Sequence, residues 1–224
     1  MESVTKPKVL FVYHTFTKQA LKVTEDMESV FRDRGWDITR AQIEFTDARY
    51  KDRFKQFPLK HRYLDIIRLL PAQLRRATGE IRIPPEAESG DYDLVCIGSP
   101  TWWLTTCMPI RSYLESDAAG RLLKGKSVAG FVVCRRYWKN NLKTVMKLSE
   151  SHGATAVGET HFKYLGGQVK SLLSLISYLG TGEYRERYLG IKIPPTNLQP
   201  DGDEVARAFA SQLLDRLGAA NSAR

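Results

Sequence analysis

Cysteine is scarce in this chain: Cys96, Cys107 and Cys134 are the whole supply, set in an apolar run, a loop and the end of another apolar run. Three residues so scattered make neither a disulfide framework nor a metal-ligand spacing, and they suit a reducing, cytoplasmic setting. No apolar run approaches the roughly eighteen residues that span a bilayer, and no charged-then-apolar signal segment precedes the first apolar run. The expectation is a soluble protein. Glycine-rich phosphate signatures are missing as well: neither G-x-x-x-x-G-K-[ST] nor G-x-G-x-x-G occurs, which removes the P-loop and the commonest dinucleotide fingerprint. Acid is the minority charge, with 25 Asp and Glu against 34 Lys and Arg and a formal net charge of +9. That balance favours anionic partners: phosphorylated cofactors, acidic proteins, lipid headgroups or nucleic acid.

What is present is a regular alternation. At 224 residues and 42% hydrophobic content the chain fits one domain, 1–224, with a core that needs no staples. Lys8–Tyr13 is a bulky apolar run suited to a central parallel strand buried on both faces. Ala20, Val23, Met27, Val30 and Phe31 then recur at helical spacing up to Gly35, and Trp36–Phe45 reads as a second, less buried strand. Leu94–Ile97 predicts strand three, broken at Gly98-Ser99-Pro100 and followed by a helix over Pro109–Ser116. Ser127–Cys134 predicts strand four, Asn140–Ser151 a helix and Ala154–Thr160 strand five. A last helix runs from Asp203, with Val205, Phe209, Leu213 and Leu217 four apart, to Gly218. This order predicts an α/β fold with a doubly wound, five-stranded parallel sheet.

Two stretches depart from the alternation. About 49–88 is basic and aromatic (Lys51, Arg53, Lys55, Lys60, His61, Arg62), then helical through Tyr63, Ile66, Ile67, Leu70 and Leu74, with Pro71 expected to kink or split the helix. About 161–200 carries the apolar cluster Leu172, Leu173, Leu175, Ile176, Tyr178 and Leu179. Long connections of this kind are commonly covers or interfaces. The 172–179 cluster suits an amphipathic helix docked on the domain or in a homodimer interface. Together with the basic segment it also suits peripheral contact with an anionic membrane or a cover over a hydrophobic entrance.

Three loops fall where open α/β sheets bind ligands, at the carboxyl ends of the strands. Loop one, with Thr15, Thr17, Lys18, Gln19 and Ala20, offers hydroxyls, a charge and a helix amino end to an anion such as a monophosphate. Loop two, with Pro100, Thr101, Trp102, Trp103 and Leu104, offers flat aromatic surface and backbone polar groups to a heteroaromatic ring. Loop three, with Cys134, Arg135, Arg136, Tyr137 and Trp138, is basic and aromatic, fit for the far edge of that ring or a second substrate's phosphate. The histidines suggest no acid or base: His14, His61, His152 and His161 stand apart, and only His14 lies at the expected sheet edge.

VLFVYHTFTKQALKV and YDLVCIGSPTWWLTTCMPIRSYL, in this order, resemble the flavodoxin-like family of FMN-binding proteins, from about Lys8 to Thr160 plus the last helix. The resemblance implies that loop one surrounds the FMN phosphate, that loop two contacts the isoalloxazine ring and that loop three closes the ring's other side. It leaves 49–88 and 161–200 as insertions. Loop one departs from the family's S-x-T-G-x-T in having Lys18 at the glycine and Ala20 at the last hydroxyl. If the glycine position needs positive φ, Lys18 is strained there, with its ammonium as an electrostatic offset. The function implied is an FMN-dependent oxidoreductase passing electrons from NAD(P)H to a quinone or similar planar acceptor. Two other readings stay open: a one-electron carrier, which the positive charge disfavours, and a binding or scaffold protein that has kept the fold without flavin. Nucleic acid is disfavoured, because no reader motif accompanies the basic segment.

Overall fold

In the computed structural model, which describes residues 6–50, 58–59 and 62–222, β1 (Lys8–Tyr13) lies inside a parallel sheet. It is flanked by β2 (Asp37–Gln42) on one side and β5 (Leu94–Trp102) on the other, and β7 (Ser127–Cys134) and β8 (Thr155–Lys163) extend the sheet beyond β5. The order β2-β1-β5-β7-β8 is the doubly wound arrangement the alternation predicts, with the reversal of winding beside β1 and β5. Two short ribbons depart from the parallel core: β3 (Glu44–Phe45) pairs with β4 (Ile81–Arg82), and β6 (Thr105–Thr106) folds back antiparallel on β5. A third ribbon joins β9 (Arg187–Tyr188) to β10 (Ile191–Lys192).

Side chains along β1 alternate between two cores, as a strand period of two requires. Val9, Phe11 and Tyr13 pack with α1 (Gln19–Asp33) and the final helix α7 (Gly202–Ser222); Leu10 and Val12 pack on the other face with α3 (Met108–Leu114), α4 (Asp117–Leu123) and α5 (Trp138–Ser151). Helix α2 (Arg62–Leu74) belongs to the first departure from the alternation and α6 (Gln168–Thr181) to the second.

Several boundaries differ from the sequence expectation. Strand β5 does not break at Gly98-Ser99-Pro100 but continues to Trp102, because Gly98, Ser99 and Pro100 keep parallel pairing with Phe131, Val132 and Val133 of β7. Gly98 is required by close approach: a Cβ there would meet the Phe131 ring at 2.2 Å. The helix expected over Pro109–Ser116 is α3, and an unexpected second helix follows it, since Ser116 accepts a hydrogen bond from the Ala119 N–H and starts α4 afresh. Helix α2 runs through Pro71 as one element, and α7 passes Gly218 to Ser222. The basic run Lys51, Arg53, Lys55, Lys60 and His61 lies outside the described residues. No helix among the described residues is long and apolar enough to cross a membrane.

Candidate functional site

The three loops meet at the carboxyl edge of the sheet around a cavity of about 470 Å³. Loop one contributes Thr15, Phe16, Thr17 and Ala20 to its wall. Lys18, at the start of α1, adopts φ 60° and ψ 3°, left-handed backbone, and caps the helix with no side-chain hydrogen bond. The strain expected of a lysine at this position is therefore present. The first intrahelical bond is from the Lys22 N–H to the Lys18 carbonyl at 2.9 Å, which leaves the N–H groups of Gln19, Ala20 and Leu21 without an intrahelical acceptor. The Lys18 side chain is exposed and outside the cavity wall. Gln19 is buried and turned away from the cavity: its Oε1 accepts from the Leu198 N–H at 3.2 Å and its Nε2 lies 3.5 Å from Asn197 Oδ1.

Pro100, Thr101, Trp102, Trp103 and Leu104 all line the cavity. Because β5 runs on to Trp102, the indoles leave a strand end and a tight reversal rather than a long loop; Trp103 makes the reversal at φ 58°. The reversal is clamped from two helices. Asn141 of α5 donates to the Ser99 carbonyl at 3.3 Å and to Thr101 Oγ1 at 2.9 Å, and Asn140 donates to the Leu104 carbonyl at 3.0 Å. Gln73 of α2, fully buried, donates to the Thr106 carbonyl at 2.5 Å. Trp102 is set edge-on to His14, with ring centroids 5.4 Å apart. Burial pushes the His14 imidazole down to about 4, and its Nδ1–H donates to the Ile43 carbonyl at 2.9 Å. His14 is a neutral wedge behind the tryptophan and does not line the cavity.

From loop three, Arg135, Arg136 and Tyr137 reach the wall. Cys134 is buried in the core with its thiol pushed up to about 11, and Trp138 stacks on His161 with centroids 3.9 Å apart, so neither lines the cavity. His152 bonds the Leu114 carbonyl at 2.6 Å. Arg135 is held tightly: Nε donates to the Ser171 carbonyl at 3.2 Å and the guanidinium lies over the Tyr164 ring, 4.1 Å from its centroid. Burial lowers the Arg135 pKa and raises that of Tyr164. The Tyr164 hydroxyl is 3.2 Å from Thr17 Oγ1 and so ties loop one to the end of β8.

The remaining wall comes mostly from the two departures from the alternation. Leu59, Ile67 and Leu69 come from the first insertion, and Leu172, Leu175, Ile176 and Leu179 from α6. The two segments are joined by a bond from the Leu59 N–H to the Leu179 carbonyl at 2.6 Å. Tyr164 and Gln168 also line the cavity; they follow β8 without any local motif, and only the sheet order brings them to loop one.

Comparison with solved structures places this architecture. A flavoprotein from Lactobacillus acidophilus, solved in complex with FMN, matches 69% of this chain and 93% of its own at 19% identity, with a TM-score of 0.51. Oxidised flavodoxin 1 from Bacillus cereus matches 93% of this chain and 97% of its own at 12% identity and a TM-score of 0.50. The chain has a flavodoxin-like fold. Rubredoxin:oxygen oxidoreductase from Desulfovibrio gigas matches 96% of this chain at 14% identity and a TM-score of 0.51, over 37% of its own length. At these identities the likeness is one of fold. No family model matches the sequence, and no curated protein matches it. Within the flavodoxin-like frame, the cavity lies beside the point where the winding of the sheet reverses, between the ends of β1 and β5.

Proposed function

We propose that the chain is an FMN-dependent oxidoreductase that takes electrons from NAD(P)H and delivers them to a quinone or similar planar acceptor. The observation that carries this reading is the cavity itself. It combines an uncapped helix start, an indole-bearing strand end and a half-buried guanidinium at the carboxyl edge of a flavodoxin-like sheet. A volume of about 470 Å³ is in the range of cofactor sites, and its lining is largely apolar with a few convergent polar groups.

The residues present fit FMN. Thr15, Thr17 and the backbone N–H groups at the start of α1 suit its phosphate. Pro100 to Leu104 offer a flat wall and backbone polar atoms to its ring system, and Tyr137 lies across the same cavity. When bound, FMN supplies two-electron and one-electron transfer, which none of the side chains here provides alone. The chain's own contribution is to hold, orient and exclude water. Asn141 and Gln73 fix the aromatic reversal, and Leu172, Leu175, Ile176 and Leu179 wall the cavity with hydrocarbon. His14, neutral at pH 7, supports Trp102 without offering a proton to the cavity.

The wall favours an enzyme over a carrier, because a carrier meets partners at an exposed cofactor edge, whereas here two insertions contribute to the cavity wall and join through Leu59 and Leu179. Titration of purified protein with FMN, followed by quenching of flavin fluorescence, is expected to saturate. Trp102→Ala is expected to weaken binding about tenfold or more, the loss of about 1.5 kcal/mol of aromatic contact. FMN-loaded protein should then oxidise NAD(P)H in the presence of a soluble quinone. Absence of any saturable flavin binding would overturn the reading; flavin binding with no NAD(P)H oxidation would leave the carrier.

A further inference from the structure

Arg135 is the least conventional part of the cavity wall. Among the described residues its Nε has one partner, the Ser171 carbonyl, while neither Nη atom has any, and Nη2 is sealed from solvent. None of the ion pairs among the described residues includes it. The titratable groups that act on it are the Tyr164 hydroxyl and the Cys134 thiol, both held in their neutral forms by burial. A guanidinium keeps its charge under such conditions, and this one is half-buried with Nη2 sealed from water, so a ligand anion would supply the counter-ion it lacks.

The position of that charge is specific. Tyr164 carries Arg135 on its ring face and meets Thr17 through its hydroxyl, so the guanidinium stands one side chain away from loop one. There the N–H groups of Gln19, Ala20 and Leu21 have no intrahelical acceptor. Loop one itself brings no cation into the cavity, because Lys18 is exposed and outside the wall. The adjacent Arg136 also lines the cavity but is exposed and bonds Gln168 Oε1 at 3.1 Å, so water screens its charge.

We propose that Arg135 is the cation that binds the phosphate monoester of the ligand in this cavity, acting with the Thr17 hydroxyl and the amino end of α1. The identity of the ligand rests on the flavin reading above; the anion site does not. A phosphate held by this guanidinium also offsets the hydroxyl that Ala20 lacks in loop one, since a fixed charge replaces that donor.

FMN and riboflavin differ by the phosphate alone, and their separate titration against the whole protein isolates it. Arg135→Met should weaken FMN about ten- to hundredfold, the worth of a charge-assisted hydrogen bond, and change riboflavin by less than about threefold. Arg135→Lys, which keeps the charge but loses the fork, should fall between, and Lys139→Met, at an exposed cation outside the wall, should leave the FMN to riboflavin ratio unchanged. An equal loss for both flavins, or an unchanged FMN affinity in Arg135→Met, overturns the proposal. Should the unaltered protein bind neither flavin, the FMN reading fails and inorganic phosphate decides the anion site. Thermal stabilisation by phosphate that is lost in Arg135→Met sustains the site, whereas its persistence in that variant, or its absence from the unaltered protein, overturns it.

Discussion

Lys18 holds a backbone conformation that suits glycine, at φ 60°, with no hydrogen bond from its side chain to the helix it starts. Relief of that strain should outweigh the extra freedom glycine gives the unfolded chain, so Lys18→Gly is expected to raise stability by about 1 kcal/mol in urea denaturation. The exposed side chain makes no contact with the cavity, so FMN affinity should stay within a few fold. His14 gives a pH dependence with a definite sign. Its pKa falls from 6.5 in the unfolded chain to about 4 in the fold because burial disfavours the imidazolium. Between those values only the unfolded chain binds the proton. The contribution is thus complete above pH 6.5, declines as pH falls towards 4 and is gone below. Its size is about 3 kcal/mol, and His14→Phe should flatten that part of the stability profile whatever it does to stability at neutral pH.

At the scale of single elements, α6 inverts the expectation that leucines lie inward. Ser171, Ser174 and Ser177 are buried along one face with Leu179 at its end, and Ser174 is bonded to Thr196 at 2.5 Å, while Leu172 is 42% exposed in the cavity wall. Small side chains let the helix sit close to the 190s segment, and the large ones are left to wall the cavity. Ser174→Leu should therefore destabilise by about 2–3 kcal/mol through overpacking and a stranded Thr196 hydroxyl. Leu172→Ser should cost less than about 1 kcal/mol. The contrast checks the orientation by denaturation alone. In β5 the tightest position is Gly98; Gly98→Ala should cost about 1–3 kcal/mol, since the Phe131 ring at 2.2 Å from the new methyl has to move. Periodicity located both elements but not these details. A run of leucines among serines fits either face of a helix, and Gly-Ser-Pro signals a turn unless a neighbouring strand holds it in register, as β7 does here.

Across the whole molecule, what repeats locally was readable and what depends on meeting across the fold was not. Apolar runs and helical spacing gave the five parallel strands and their doubly wound arrangement but not their order across the sheet, and the three loops at their ends do converge. Thr15, Thr17, Ala20, the Pro100–Leu104 reversal and Arg135 to Tyr137 form the wall, as their place at strand ends implies. Lys18, Gln19, Cys134 and Trp138 do not: Gln19 and Cys134 point inward to the body of the protein, Lys18 points out to solvent and Trp138 turns aside onto His161. Tyr164 and the Leu59–Leu179 junction carry no signal of their own in a single chain.

Loop one is shaped by distant partners: Thr17 meets Tyr164, 147 positions later, and Gln19 meets Leu198, 179 positions later. During synthesis the first strand and helix therefore exist long before the residues that fix the turn between them. Ligand-binding competence should arrive only as the last part of the described chain is delivered, making retention of the ligand a sensitive report that folding has reached its end.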